Sequence, residues 1–312
     1  MAAFVAFLLM LGAGFDSLYL GAFGGGVPVG SILALGVGSV GAVASYYTGD
    51  RAVLLSSGAR PVAEVAATAT DADKLKFTQL EHVVDEMAIA AGIPRPPVYI
   101  VPDPDPNAFA TGRGPGHSSI AVTRGLLDAL DREELQGVLA HEMSHIRNLD
   151  TRVMTIVAAL VGAVALLADW ARRGMWFGSG RRRDDDGERG GGAAGAVFFV
   201  IWIVAIIVAP LVAQLLAMMV SRKREYLADA SGAERTRNPL GLARALEKIE
   251  SAVEPTRAIK QGSAHLCIAD PLGRRLNAAD GSGWTGLFAS HPPMAQRISA
   301  LRQMAYEFGG GR

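Results

Sequence analysis

The pentapeptide His141-Glu142-Met143-Ser144-His145 has the form H-E-x-x-H. On an α-helix, positions i and i+4 share one face, so both imidazoles reach one point in space. With Glu142 between them in sequence, the trio matches the zinc-peptidase arrangement: two neutral ligands plus a carboxylate beside metal-bound water. Two histidines and a glutamate also fall at this spacing by chance on ordinary helices, so the flanks matter. Upstream, Asp131 is a good N-cap, and Glu134 three residues later completes a D-x-x-E capping box. Glu133 and Glu134 also suit the positive end of a helix. Leu135, Val138 and Leu139 then give that helix an apolar side to bury.

Outward from the motif, residues 49–152 and 221–312 are the polar parts of the chain. The periodicity predicts a helix from Asp71 to Ala91, with Leu75, Leu80, Val83, Val84 and Met87 as its apolar stripe and Gly92 as its stop. Val98 to Val101, Asn107 to Gly112 and Ser118 to Val122 read as three short strands of a small antiparallel sheet. The prolines around the first of them favour an edge position. Downstream, residues 222–250 read as two helices broken around Asn238-Pro239. A last helix is expected after Pro292-Pro293, with Ile298, Leu301 and Met304 on its buried side.

Between these parts lie runs without charge. Half of the 312 residues are hydrophobic and only 19% are charged, against about 25% in an ordinary soluble domain. Residues 2–15, 27–47, 153–168 and 193–220 carry no Asp, Glu, Lys or Arg. About 20 apolar residues cross a bilayer core, so four membrane helices are expected, in two hairpins. Asp16 follows the first run and should sit near an end or face protein, because a charge in hydrocarbon is costly. The expected organisation is a hairpin at 1–48, the first half of a catalytic domain at 49–152, and a second hairpin at 153–220 with a polar loop at 172–192. The second catalytic half follows at 221–312. A net charge of zero gives no sign of a nucleic-acid binder, and the single Cys267 excludes an intrachain disulfide framework.

Two histidines leave a catalytic zinc site one protein ligand short. Asp150 is nearby but lies off the ligand face. Glu225, in Arg224-Glu225-Tyr226-Leu227-Ala228-Asp229, is the better candidate, with Asp229 one turn later able to accept a histidine N–H. A plain salt-bridged surface helix would contain the same two acids, and spacing alone leaves both readings open.

H-E-M-S-H, a hydrophobic hairpin and then R-E-Y-L-A-D-A resemble, in that order, the HtpX-type bacterial membrane proteases of the M48 metallopeptidase family. The resemblance covers nearly the whole chain. It implies a mainly α membrane protein: about four transmembrane helices and a mostly helical, zincin-like (gluzincin) catalytic domain with a small β-sheet. It implies one zinc per chain on His141, His145 and Glu225, with Glu142 as general base and Asp229 behind the ligands. Asn107-Ala108-Phe109-Ala110 resembles the family's N-A-F-A edge strand beside the cleft, an exposed strand that would bind extended peptide. His291-Pro292-Pro293 with Arg297-Ile298 resembles its H-P-P-x-x-x-R-I motif. That motif would put His291, and Arg297 with it, near the substrate oxyanion or holding the site together.

The implied activity is zinc-dependent endopeptidase cleavage of unfolded or damaged membrane proteins, with self-cleavage of open segments. The implied place is the bacterial inner membrane with the site facing the cytosol. Arg51, Arg60, Arg147, Arg152 and Arg222 to Arg224 agree with that orientation, whereas Arg181 to Arg183 oppose it. Charged residues around the motif argue against an intramembrane protease, and four spans do not make the chamber of prenyl-processing relatives. The remaining alternatives are a membrane scaffold or transporter with an incidental motif, and a zinc protease with a dedicated processing role.

Overall fold

The computed structural model describes residues 9, 13, 16, 29–152, 222–252, 258, 266–269 and 292–310. The chain forms two compact units: Met1–Tyr47 with Ala159–Gln214, and Thr48–Ala158 with Leu215–Arg312.

In the first unit lies the start of helix α1, Val29–Ser56. Asp16 is buried, and its Oδ2 accepts hydrogen bonds from both the backbone N–H and the hydroxyl of Ser31, each at 2.7 Å. A carboxylate at the first turn of a helix meets its unpaired N–H groups and the positive end of its dipole. That arrangement resolves the cost expected for Asp16. Ile32, Leu35, Val40, Val43 and Tyr47 of α1 are exposed. Among the described residues, no helix is long and apolar enough to cross a membrane. Of the four charge-free runs, 27–47 falls largely within α1, and the other three lie outside the described residues but for residues 9 and 13.

The second unit is mostly helical with one small mixed sheet. A two-residue strand β1 (Arg60–Pro61) precedes the short helix α2 (Val62–Ala67) and the longer α3 (Asp71–Ala91). The Thr70 hydroxyl caps α3 by accepting from Asp73 N–H, and Gly92 ends it in the left-handed conformation that glycine takes without penalty. Next come β2 (Val98–Val101), β3 (Ala108–Gly112) and β4 (Ser118–Thr123). Helices α4 (Arg124–Ala129), α5 (Arg132–Arg147), α6 (222–236), α7 (Pro239–Ser251) and α8 (Met294–Gly310) complete it.

The sheet order is β1-β2-β4-β3. β3 runs antiparallel to β4, but β2 runs parallel to it, with Val98 opposite Ile120. The sheet is therefore mixed, not antiparallel, and β2 is an inner strand. Its prolines do not prevent this, because Pro96, Pro97 and Pro102 lie outside Val98–Val101 and remove no ladder N–H.

The core joins α3, α5 and α7 to the sheet, with α8 against α7. Leu80, Val83, Val84 and Met87 of α3 are buried, whereas Leu75 is 72% exposed and Phe77 takes the inward position. On α7 the periodicity is met at Leu242, Leu246 and Ile249, but Leu240 is exposed. α5 carries the complete capping box. Asp131 Oδ1 accepts from Glu134 N–H at 3.0 Å, and Glu134 Oε2 accepts from Asp131 N–H at 2.9 Å. Glycine lets two helices reach α5 closely. A Cβ on Gly137 would lie 2.8 Å from the Leu242 nitrogen of α7, and one on Gly232 would lie 3.1 Å from the His141 nitrogen.

Candidate active site

The buried face of α5 presents His141, Glu142 and His145. Helix α6, pressed against it at Gly232, presents Glu225 and Asp229 one turn apart. The Nε2 atoms of the two histidines face each other at 3.1 Å. Glu225 closes the group: Oε2 is 3.7 Å from His141 Nε2, and Oε1 is 3.5 Å from His145 Nε2. One ligand atom from each residue lies within 4.8 Å of the others.

Each imidazole has a carboxylate at its other nitrogen. Asp229 Oδ1 is 2.9 Å from His141 Nδ1, and Asp150 Oδ2 is 3.0 Å from His145 Nδ1. A carboxylate there selects the tautomer with its proton on Nδ1, leaving the Nε2 lone pair free. Two such lone pairs and a carboxylate then point at one spot. Repulsion among them calls for a cation there. Tetrahedral coordination with bonds of about 2.0–2.1 Å puts ligand atoms about 3.4 Å apart, close to the separations found. The charges agree. Burial lowers the pKa of His141 against the pull of Asp229, and His145 and Arg297 add to the lowering. Burial also opposes charge on His145, but Asp150, Glu225 and Glu142 overcome it and raise its pKa to about 10. The surrounding carboxylates thus favour positive charge at this spot, and a divalent metal ion would supply it.

Glu142 is buried beside this group. Burial pushes its carboxyl up to about 7, further raised by Glu225 and held back by His145 and a backbone hydrogen bond from Ala110. Its Oε1 has no hydrogen-bond partner among the described residues. A carboxylate held close to neutrality is suited to taking up and returning a proton.

Arg297 of α8 is fully buried and braces the acids of α6. Its Nε and Nη2 donate to Asp229 Oδ2 and Oδ1 at 2.8 and 2.7 Å, its Nη1 donates to the Ile268 carbonyl at 2.9 Å, and Nη1 lies 3.2 Å from Glu225 Oε2. Burial opposes ionisation of Asp229, but Arg297 and His141 together hold its carboxyl down at about 2. Arg297 thus ties Asp229 and Glu225 of α6 to the Ile268 backbone. His291 lies outside the described residues.

Two expectations change. Asp150 is off the ligand face, as expected, yet it holds His145 and also accepts from Arg224 Nη1 at 2.5 Å. The backbone explains how. Helix α5 ends at Arg147, and Leu149 takes φ 61°, which turns the chain so that Asp150 comes back beneath His145. The available signal was chemical: two ligand histidines need two N–H acceptors, and Asp229 serves only one. The second change concerns Asn107-Ala108-Phe109-Ala110. All four residues are buried, so the strand is not exposed at Phe109. Its carbonyl at Ala108 and the side-chain amide of Asn107 are bonded to residues 268 and 269.

Residues 74–305 match the family model Peptidase family M48. A protease HtpX homolog of Caldanaerobacter subterraneus subsp. tengcongensis is 44% identical over 262 residues, covering 83% of this chain and 80% of that one. The protease HtpX homologs of Lactiplantibacillus plantarum and Limosilactobacillus fermentum are 48% identical over 226 residues and 42% identical over 307 residues. They cover 72% and 97% of this chain and 73% and 95% of their own lengths. Among solved structures, the crystal structure of S. mikatae Ste24p aligns with a TM-score of 0.42 at 18% identity, over 71% of this chain and 49% of that one. With the two histidines of the H-E-x-x-H helix and Glu225 brought together in one buried group, the chain belongs to peptidase family M48 and is a metal-dependent protease.

Proposed function

We propose that the protein is a membrane-bound zinc endopeptidase in which His141, His145 and Glu225 hold one zinc ion. The observation that carries this is the pair of Nε2 atoms 3.1 Å apart beside Glu225, each ring fixed from behind by a carboxylate. Two imidazoles and one carboxylate are the ligand set of catalytic zinc in several hydrolases, with one position left open. When bound, zinc acts as a Lewis acid toward a peptide carbonyl and makes water a stronger acid.

Glu142 takes the proton of the attacking water and returns it to the leaving amine nitrogen. Asp229 and Asp150 keep the two Nδ1 protons in place, and Arg297 keeps Asp229 ionised. By the family resemblance, His291 would either serve the substrate oxyanion or help to hold the site together. The outer edge of β3, next to Glu142 through Ala110, receives the substrate backbone by strand addition. Such recognition is loose in sequence and suits unfolded chains.

The membrane part of the proposal rests on the charge-free runs and on the exposed apolar residues of α1. Residues 1–48 and 153–220 form the two hairpins, and 49–152 and 221–312 form the catalytic halves. Two spans between His145 and Glu225 would keep them on one side, and the basic residues Arg51, Arg60, Arg147, Arg152 and Arg222 to Arg224 support reading that side as the cytosol of a bacterial inner membrane. Unfolded or damaged membrane proteins are the substrates, and open segments of the chain itself are cut on occasion.

Metal analysis of full-length protein in detergent should find one zinc per chain. The Glu142→Gln variant should keep that zinc and lose casein cleavage. A chain without metal after chelator-free preparation, or full turnover by Glu142→Gln, would refute the mechanism.

A further inference from the structure

The chain itself takes the outer edge of β3. On the side away from β4, Cys267 forms an antiparallel bridge with Phe109. The Ile268 N–H donates to the Ala108 carbonyl at 2.9 Å, and Asn107 Nδ2 donates to the Ala269 carbonyl at 3.1 Å. Leu266, Cys267, Ile268 and Ala269 are all buried. These four residues therefore cover the outer edge of β3, joined to it by one antiparallel bridge and one backbone hydrogen bond. The Ala108 carbonyl they use is one that an incoming peptide needs, and the ladder leads to Ala110, whose backbone also bonds Glu142. An antiparallel strand has one partner on each side, so a second peptide cannot add while this one is seated.

We propose that Leu266–Ala269 keeps the peptide-binding edge of β3 closed, and that an extended substrate enters by exchanging with it. This rests on the peptidase reading above and deepens it. The exchange replaces like with like: an incoming backbone offers the same N–H to Ala108 and the same carbonyl to Asn107. Leu-Cys-Ile-Ala is uncharged and apolar, so the chain that displaces it best is an uncharged, extended apolar stretch. Such stretches are exposed in unfolded proteins. The closed strand also shares a guanidinium with the metal group. Arg297 Nη1 donates to the Ile268 carbonyl while Nε and Nη2 hold Asp229, so displacement removes one acceptor from Nη1 and leaves its approach to Glu225 and the fork on Asp229 intact.

Cys267 is the chain's single cysteine and is 1% exposed, so it reports the exchange without engineering. Maleimide labelling of zinc-loaded, full-length Glu142→Gln should be slow alone. With saturating unfolded casein it should rise on the order of tenfold or more, following casein binding. A second variant, Phe109→Cys, sets a thiol opposite Cys267. Antiparallel partners lie about 4.5–5.5 Å apart at Cα, within the span of a disulfide. Oxidised Phe109→Cys should lose casein cleavage and regain it on reduction, while wild type responds to neither treatment. Phe109 is buried, so this variant folds less stably; the labelling experiment does not depend on it. Unchanged Cys267 labelling while casein binds, or full activity of the locked form, would overturn the proposal and leave the protease reading standing. A wild type that neither holds zinc nor cleaves casein would instead remove the protease reading itself.

Discussion

Replacing Arg297 by methionine keeps much of the volume and removes the charge. In the wild type, the guanidinium makes a two-pronged contact with Asp229 and lies 3.2 Å from Glu225. Without it, the buried carboxylates of Asp229 and Glu225 both lose that cation. Removing one partner of a buried ion pair costs about 3–5 kcal/mol. A second loss falls on the metal. Asp229 is held at about 2 largely by Arg297, so without it the carboxyl rises, protonates more readily and grips His141 Nδ1 less firmly. Loss of such an outer partner typically weakens metal binding about 10–100-fold. Arg297→Lys should fall between, because an ammonium restores charge but not the fork. The double variant Arg297→Met/Asp229→Asn should recover part of the stability, since it no longer buries an unpaired Asp229. Thermal unfolding in detergent with and without zinc, and competition with a chelating dye, measure the two effects. Wild-type stability and zinc affinity in Arg297→Met, or a double variant less stable than the single one, would refute the reasoning.

Asp150→Asn should weaken zinc binding and activity about 10–100-fold, as Asp229→Asn should, because both acids hold a ligand ring; normal zinc content and turnover in Asp150→Asn would remove it from that role. Glu225→Ala should lose zinc and turnover with the helical content unchanged in circular dichroism, and a zinc-replete variant would show that another residue is the third ligand. Gly232→Ala adds a Cβ 3.1 Å from the His141 nitrogen and forces α5 and α6 apart by a few tenths of an ångström. Metal-site distances tolerate only about 0.2 Å. Zinc affinity should therefore fall even though alanine favours a helix over glycine by about 1 kcal/mol. Unchanged affinity with a raised melting temperature would show that the two helices repack freely.

What the sequence disclosed is what local chemistry controls. The capping box of Asp131 and Glu134 needs only three residues of separation, and α3 begins and ends where its cap residues stand. The H-E-x-x-H face follows from helix geometry alone. Other features depend on what a segment meets. Leu75 and Phe77 are two residues apart, and only the packing of α3 against α5 and the sheet decides which turns inward. The parallel pairing of β2 with β4 is a choice between partners that each strand's own pattern does not encode. Asp150 reaches His145 through a left-handed leucine, a conformation that nothing in the residue type announces. The burial of Phe109 comes from a segment more than 150 positions downstream.

The brace supplied by Arg297 also sets an order of events during synthesis. His141, His145 and Asp150 are made first, Glu225 and Asp229 some 80 residues later, and Arg297 only 15 residues before the last residue of this sequence. A growing chain that carries His141, His145 and Glu225 still lacks the Arg297 guanidinium, which holds the Asp229 carboxyl down and lies 3.2 Å from Glu225. At translation rates of about 5–20 residues per second, that interval between Glu225 and Arg297 lasts several seconds. The buried group is thus synthesised seconds before the residue that braces it, and its full electrostatic support waits for α8.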